Sequence, residues 1–294
     1  MASVSQRAGA SPASPPAGRR RRVKRIGRAL LNFFVLVFLF IVVLLPILWM
    51  GFMSVRTPIA IFEMPPDLSK GWTLVNYVEL AQTPFGRSIV NSLIVSLLTT
   101  VFALGFGVPA AYALSRYPFR YESGMTFWIL AARLALPIGF ALPLFIIFSR
   151  IGIRNSYTAV VLAYLTFTTP LVIWVLRPFL DSIPKDLEEA AIVDGASNWQ
   201  IFFKVIVPLS ANGLVAVGVL TFTMSWIEFF YALIFTRGDM MTATVSIVNF
   251  MQYQGWDWGK IAAGGIVVLV PIVLFSLFTH KYLVSGLTAG TIKG

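Results

Sequence analysis

Glu188 and Glu189 stand side by side in the polar run Glu188-Glu189-Ala190-Ala191-Ile192-Val193-Asp194-Gly195-Ala196-Ser197, which separates long apolar stretches. Paired carboxylates do general acid and base chemistry when they share a cleft with a reacting group. No histidine pair, G-x-S-x-G elbow or G-x-x-x-x-G-K-[ST] phosphate loop accompanies these two, and Gly259-Lys260-Ile261 is not such a loop. The chain therefore hydrolyses no ATP of its own. It has no cysteine, so thiolate metal sites, disulfides and cysteine nucleophiles are also excluded. His280, at the end of the last apolar run, reads as an interfacial histidine rather than a metal ligand.

The chemistry left for the run is docking. Ser182 is placed to cap a helix that accepts Pro184 in its first turn, where the missing amide hydrogen would be unpaired anyway. Asp186, Glu188 and Glu189 suit the positive end of that helix, and Ile183, Leu187, Ala190 and Ala191 share one narrow apolar face. The two alanines let another surface come close. Gly195 can take the left-handed conformation that stops the helix, and Ser197 with Gln200 has capping-box spacing for a second helix through Trp199, Phe202 and Phe203. The spacing predicts a compact helical knob.

The elements that carry this knob are membrane spans. With 57% hydrophobic and 12% charged residues, the chain is too apolar for a soluble globule and reads as an all-α polytopic membrane protein. At about twenty apolar residues per crossing there are six transmembrane helices, beginning near Ala29, Ile89, Phe127, Tyr157, Pro208 and Ile261. The net charge of +11 gathers in Arg19 to Arg22, Lys24, Arg25 and Arg28, just before the first span. That is a topology signal rather than a nucleic-acid site, and it keeps the amino terminus in the cytoplasm. The first span, through Met50, is too long for a removed signal peptide and reads as a retained anchor. The expected domains are a disordered basic tail over 1–28, a six-helix domain over 29–284 with its loop at about 182–204, and a carboxyl-terminal tail over 285–294.

Glu189-Ala190-Ala191, three residues, Gly195 and then Pro208 resembles the EAA loop of the membrane subunits of bacterial ABC importers, in the carbohydrate-type form carrying Asp194-Gly195-Ala196. Val205 and Val207 stand where isoleucine and leucine are common in that family. The resemblance, to maltose permease-like chains, covers nearly everything after residue 29. It implies the type I importer permease fold in the cytoplasmic (inner) membrane, with both termini cytoplasmic. It also implies a separate ATP-binding subunit in two copies carrying ATP and Mg, a second homologous permease subunit, an extracytoplasmic solute-binding protein and a surrounding of lipid. Glu188, Glu189, Ala190, Ala191, Asp194, Gly195 and Ala196 would then couple to the ATPase, and no cofactor belongs to this chain. The Gly286-Leu287-Thr288-Ala289-Gly290 run and the Lys293-Gly294 end look like the maltose-type tail that extends between ATPase subunits.

Within the spans, Arg133 and Glu228 are the charges, and Glu228 has Trp226, Phe229 and Phe230 beside it. Burying a charge in a bilayer is expensive, so both face the bundle interior or water. Arg133, Trp226, Glu228 and Phe229 are the translocation-path candidates; buried structural charges are the alternative. Pro46, Pro109, Pro137, Pro143, Pro170 and Pro271 bend their spans, which suits a gated path or shapes a static bundle. In the last outer loop, Gln252, Tyr253, Gln254, Gly255 and Trp256 mix aromatics with amides, as sugar-binding faces and membrane interfaces both do. They are candidates for contact with the binding protein. The first outer loop, with Pro65-Pro66, Trp72-Thr73 and Asn76-Tyr77 ahead of Asn91-Ser92, is a second candidate face or a plain connector. Sugar or polyol is the substrate class the resemblance implies. A stand-alone secondary transporter or channel, or a permease for glycerol-phosphate or another small polar solute, are the alternatives.

Overall fold

The computed structural model describes residues 17–117, 120–252 and 255–289, in two compact units, Met1–Met50 and Gly51–Gly294. The first is built on helix α1, Ala17–Ser54, apolar on every face from Leu30 onward. A helix with no polar stripe belongs in lipid. Residues 17–28, expected as part of a disordered tail, are the first turns of α1. Arginine and lysine are good helix formers, so nothing ends the helix where its apolar part begins. Residues 1–16 lie outside the described residues.

The second unit opens with α2 (Pro58–Ile61) and α3 (Val75–Ala81) in the segment expected as a Pro-rich connector or partner face. Arg56 makes it a folded element. Its guanidinium is fully buried, donates to the carbonyls of Lys70 and Asp67, and packs against the perpendicular rings of Phe52 (5.0 Å) and Trp72 (5.2 Å). Asn76 Nδ2 donates to the carbonyls of Ser54 (2.9 Å) and Arg56 (2.8 Å). A buried cation persists only when paired or bonded in this way. On the rim, the Ser69 hydroxyl and amide donate to the Asp67 carboxylate and hold it down at about 2.

Helix α4 spans Phe85–Arg116, 32 residues through Pro109 without a stop. Next come α5 (Glu122–Leu134) and α6 (Pro137–Arg150), which meet at 90°. The residue before a proline is pushed out of the helical region, and Leu136, with ψ of 135°, is where the chain turns. Helix α7 (Tyr157–Asp181) lies along α4. Ala103, Gly107 and Ala111 let the two backbones approach, and a β-carbon at Gly107 would stand 2.6 Å from Val172 Cγ1.

The remaining helices are α8 (Asp186–Val193), α9 (Asn198–Ile201), a π-helical turn Phe202–Ile206, α10 (Val207–Leu209), α11 (Ala211–Trp226), α12 (Phe230–Phe235), α13 (Ala243–Ser246) and α14 (Trp258–Ala289). The segments Asn198–Leu209 and Ala211–Trp226 meet at 77°. Among the described residues four helices are long and apolar enough to cross a bilayer singly, and counting each bent pair as one span gives the six expected. The expectation for the fifth span is corrected. The fifth span does not continue through Glu228; α11 stops at Trp226 and the chain restarts as α12. At the carboxyl end, residues expected as tail are helical through Ala289, and 290–294 lie outside the described residues.

Candidate functional site

The polar run folds as the two-helix knob its spacing predicts, with one change at its start. Ser182 is not the amino-terminal cap. It ends α7, its hydroxyl donating to Phe179 O at 2.7 Å, and α8 begins after Lys185 with no side-chain cap. At the other end of α8, Gly195 takes φ of +82°. Its amide donates to Ile192 O (3.0 Å) and that of Ala196 to Ala191 O (2.9 Å), the paired bonds of a Schellman stop. Ser197 and Gln200 complete the capping box: Ser197 N donates to Gln200 Oε1 at 2.8 Å and Gln200 N to Ser197 Oγ at 3.4 Å.

The knob has an inward and an outward side. Ile183, Ala191 and Ala196 pack on a buried cluster containing Tyr112, Leu176, Leu180, Ile201, Phe202 and Ile206. Glu188 turns inward as well. Its carboxylate is ion-paired to Arg116, at the end of α4, and accepts from the Tyr112 hydroxyl at 2.8 Å. Arg116 also donates to Ile183 O at 3.0 Å. The two charged side chains are only 6% and 12% exposed, so Glu188 is no free docking group. The outward side carries Glu189, Ala190, Asp194 and Gly195 together with Leu187, Ile192, Val193 (87% exposed) and Trp199 (70% exposed).

At the opposite end of α4, Asn91 and Ser92 are buried and hold a different segment. Asn91 Nδ2 donates to Asp239 O (2.7 Å) and Met241 O (2.9 Å), and its Oδ1 accepts from the Tyr157 hydroxyl (2.8 Å). Ser92 Oγ accepts from Ala243 N at 2.8 Å. That segment leads to a hairpin, β1 (Met251–Gln252) against antiparallel β2 (Gly255–Trp256), with Gln252 opposite Gly255. Trp256 is half exposed and 5.0 Å from Trp258. Tyr253, Gln254 and the side chain of Gln252 lie outside the described residues.

The four path candidates have separate partners among the described residues. Trp226 is buried, stacked on Phe222, and its indole N–H donates to Val268 O at 3.0 Å, so it joins α11 to α14. Glu228 caps α12, its carboxylate accepting from Tyr231 N (3.1 Å) and Ala232 N (3.2 Å). Its own carbonyl accepts from the hydroxyls of Thr244 (3.0 Å) and Tyr164 (3.4 Å). Arg133 lies 5.8 Å over the Trp174 ring, with no ion pair to Glu228 among the described residues. Phe229 is partly exposed beside the cap. Among the described residues, no three His, Cys, Asp or Glu side chains gather as a metal site.

Residues 103–287, most of the chain and the whole of the knob, match the model of the family described as the binding-protein-dependent transport system inner membrane component. The chain belongs to this family. The permease is 37% identical over 255 residues to the trehalose transport system permease protein SugB of Mycobacterium tuberculosis, covering 85% of this chain and 93% of that protein. It is 34% identical over 259 residues to the trehalose/maltose transport system permease protein MalG of Thermococcus litoralis, covering 86% and 93%. A chain of a bacterial ABC transporter that imports the acidic polysaccharide alginate shares the fold, with a TM-score of 0.72 at 21% identity, over 92% of this chain and 99% of that one.

Sequence reasoning missed three features of this inner-membrane, multi-pass permease. The partners of Glu188 on α4 lie 72 and 76 residues away. Arg56 is the second, its burial being set by the carbonyls of Asp67 and Lys70, 11 and 14 residues further on. The cap role of Glu228 was also legible, because a carboxylate sits three residues before an amide that a restarting helix leaves unpaired.

Proposed function

We infer that this permease is one membrane subunit of an ATP-driven importer that moves a sugar or polyol into the cell by alternating access. A separate ATP-binding subunit, two copies per transporter, carries ATP and Mg and docks on the α8–α9 knob. A second, homologous permease completes the path, and an extracytoplasmic binding protein delivers the solute at the hairpin end. The knob and both termini face the cytoplasm.

One observation carries this reading: in a chain of this family, the knob is fixed by a Schellman stop and a capping box yet leaves Leu187, Ile192, Val193 and Trp199 uncovered beside Glu189. A rigid, apolar projection with a carboxylate is what a cleft on a cytoplasmic motor can grip. Motion of the knob then biases the bundle between its two open states. The substrate class draws support from relatives named for trehalose and trehalose/maltose transport.

The test uses the absence of native cysteine. Ala190→Cys, in membranes containing the whole transporter, should crosslink to a cysteine placed in the ATPase cleft. The reconstituted complex should hydrolyse ATP faster when the sugar-loaded binding protein is added. Uptake that proceeds without an ATPase subunit would overturn the reading, and stimulation by a glycerol-phosphate-loaded binding protein but by no sugar-loaded one would overturn the substrate class.

A further inference from the structure

We propose that α4 is the transmission rod of this permease, joining the ATPase-facing knob to the binding-protein-facing segment 239–243 through a polar clamp at each end. The knob-end clamp gathers both helices of the knob on one turn of α4. Tyr112 donates to Glu188 of α8 while its ring packs 5.2 Å from Phe202, just after α9. Arg116 holds Glu188 and the Ile183 carbonyl that precedes α8, and Ser115 donates to Asp181 at the end of α7. The far clamp is Asn91 on the carbonyls of Asp239 and Met241, Ser92 on the amide of Ala243, and an exposed Arg87–Asp239 ion pair at 2.8 Å.

Between the clamps lies one helix. At about 1.5 Å per residue, Asn91 and Tyr112 are about 30 Å apart. Pro109 frees one carbonyl but does not end the helix, and Gly107 is pressed against Val172, so α4 is backed by α7 at this level. The bonds of Tyr112, Arg116, Asn91 and Ser92 are buried or half-buried, whereas Ser115–Asp181 and Arg87–Asp239 are exposed, and breaking a buried bond leaves a polar group unsatisfied away from water. A displacement of the knob must therefore either break the Tyr112–Arg116–Glu188 clamp or move α4, and with it the backbone of 239–243. Linkage makes the effect reciprocal: a binding protein that shifts 239–243 biases the knob by the same factor.

The proposal rests on the importer reading, and the experiment separates the two. The complete transporter is reconstituted in nanodiscs, and the ratio of ATPase rates with and without sugar-loaded binding protein is measured for Tyr112→Phe, Asn91→Ala and the double variant. Sites this far apart normally act independently, so their fold-losses multiply. A series linkage gives a different result: if each single variant cuts the ratio about fivefold, the double cuts it about fivefold too, not about twenty-five-fold. A fluorophore on Val248→Cys, otherwise in a cysteine-free chain, should respond to trapped nucleotide in the parent and lose that response in Tyr112→Phe. If Asn91→Ala fails to assemble, Ser92→Ala takes its place. Multiplying losses, or an undiminished response at position 248 in Tyr112→Phe, overturns the rod. Absence of any stimulation in the unaltered transporter would instead overturn the importer reading, and the rod with it.

Discussion

Replacing Arg116 with methionine tests whether the inward turn of Glu188 holds the knob in place. The side chain that remains would fill most of the volume but leave a carboxylate that is 12% exposed without its cation, and the Ile183 carbonyl without its donor. Removing one partner of a buried pair costs about 3–5 kcal/mol, because the survivor is left out of water without its partner. At about 1.4 kcal/mol per factor of ten, that opens α8 from its seat on α4 about a hundredfold or more often. Amide hydrogen exchange over residues 186–193 in nanodiscs reads this directly, with the middle of α7 as the internal reference. Arg116→Met/Glu188→Met, which removes both charges, should recover most of the protection, since an ion pair replaced by apolar groups is close to neutral. Unchanged exchange in the single variant, or a double variant as exposed as the single, would refute the claim that this pair seats the knob.

Glu228→Gln keeps an oxygen that can accept from the Tyr231 and Ala232 amides, whereas Glu228→Ala removes the cap, which is worth about 1 kcal/mol. Uptake should therefore survive in the glutamine variant and fall in the alanine one. Equal loss in both would return Glu228 to the path as a required charge. Gly107→Val puts a branched side chain where a β-carbon already stands 2.6 Å from Val172 Cγ1. Overpacking of this kind costs about 1–3 kcal/mol, read as a lower thermal midpoint in detergent, and Val172→Ala should relieve it. An unaltered midpoint would mean that α4 and α7 separate easily at this level.

How far the sequence was legible depends on how local each cause is. The Gly195 stop and the Ser197–Gln200 box are made by residues within one or two turns of each other, so their types and spacing predicted the geometry that is observed. Among the described residues, the four unbroken spans were legible for the same reason, because the bilayer length is a constant and each apolar run is contiguous. The failures are of two kinds. Ser182 and the fifth span were local readings overridden by a stronger neighbour: α7 continues through Asp181 and takes Ser182 as its end, and the Glu228 carboxylate stabilises a new helix start at the point where an unbroken span was expected. Glu188 and Arg56 are different, since nothing near either residue in sequence distinguishes a charge that faces solvent from one that is paired inside. For Glu188 the decision is made by Tyr112 and Arg116, two residues one helical turn apart on α4, where positions four apart share a face. That spacing puts a hydroxyl and a guanidinium on one side of the helix end, and a carboxylate is the partner both require. Only the packing of α7 against α4, set by small residues at 103, 107 and 111, brings one there.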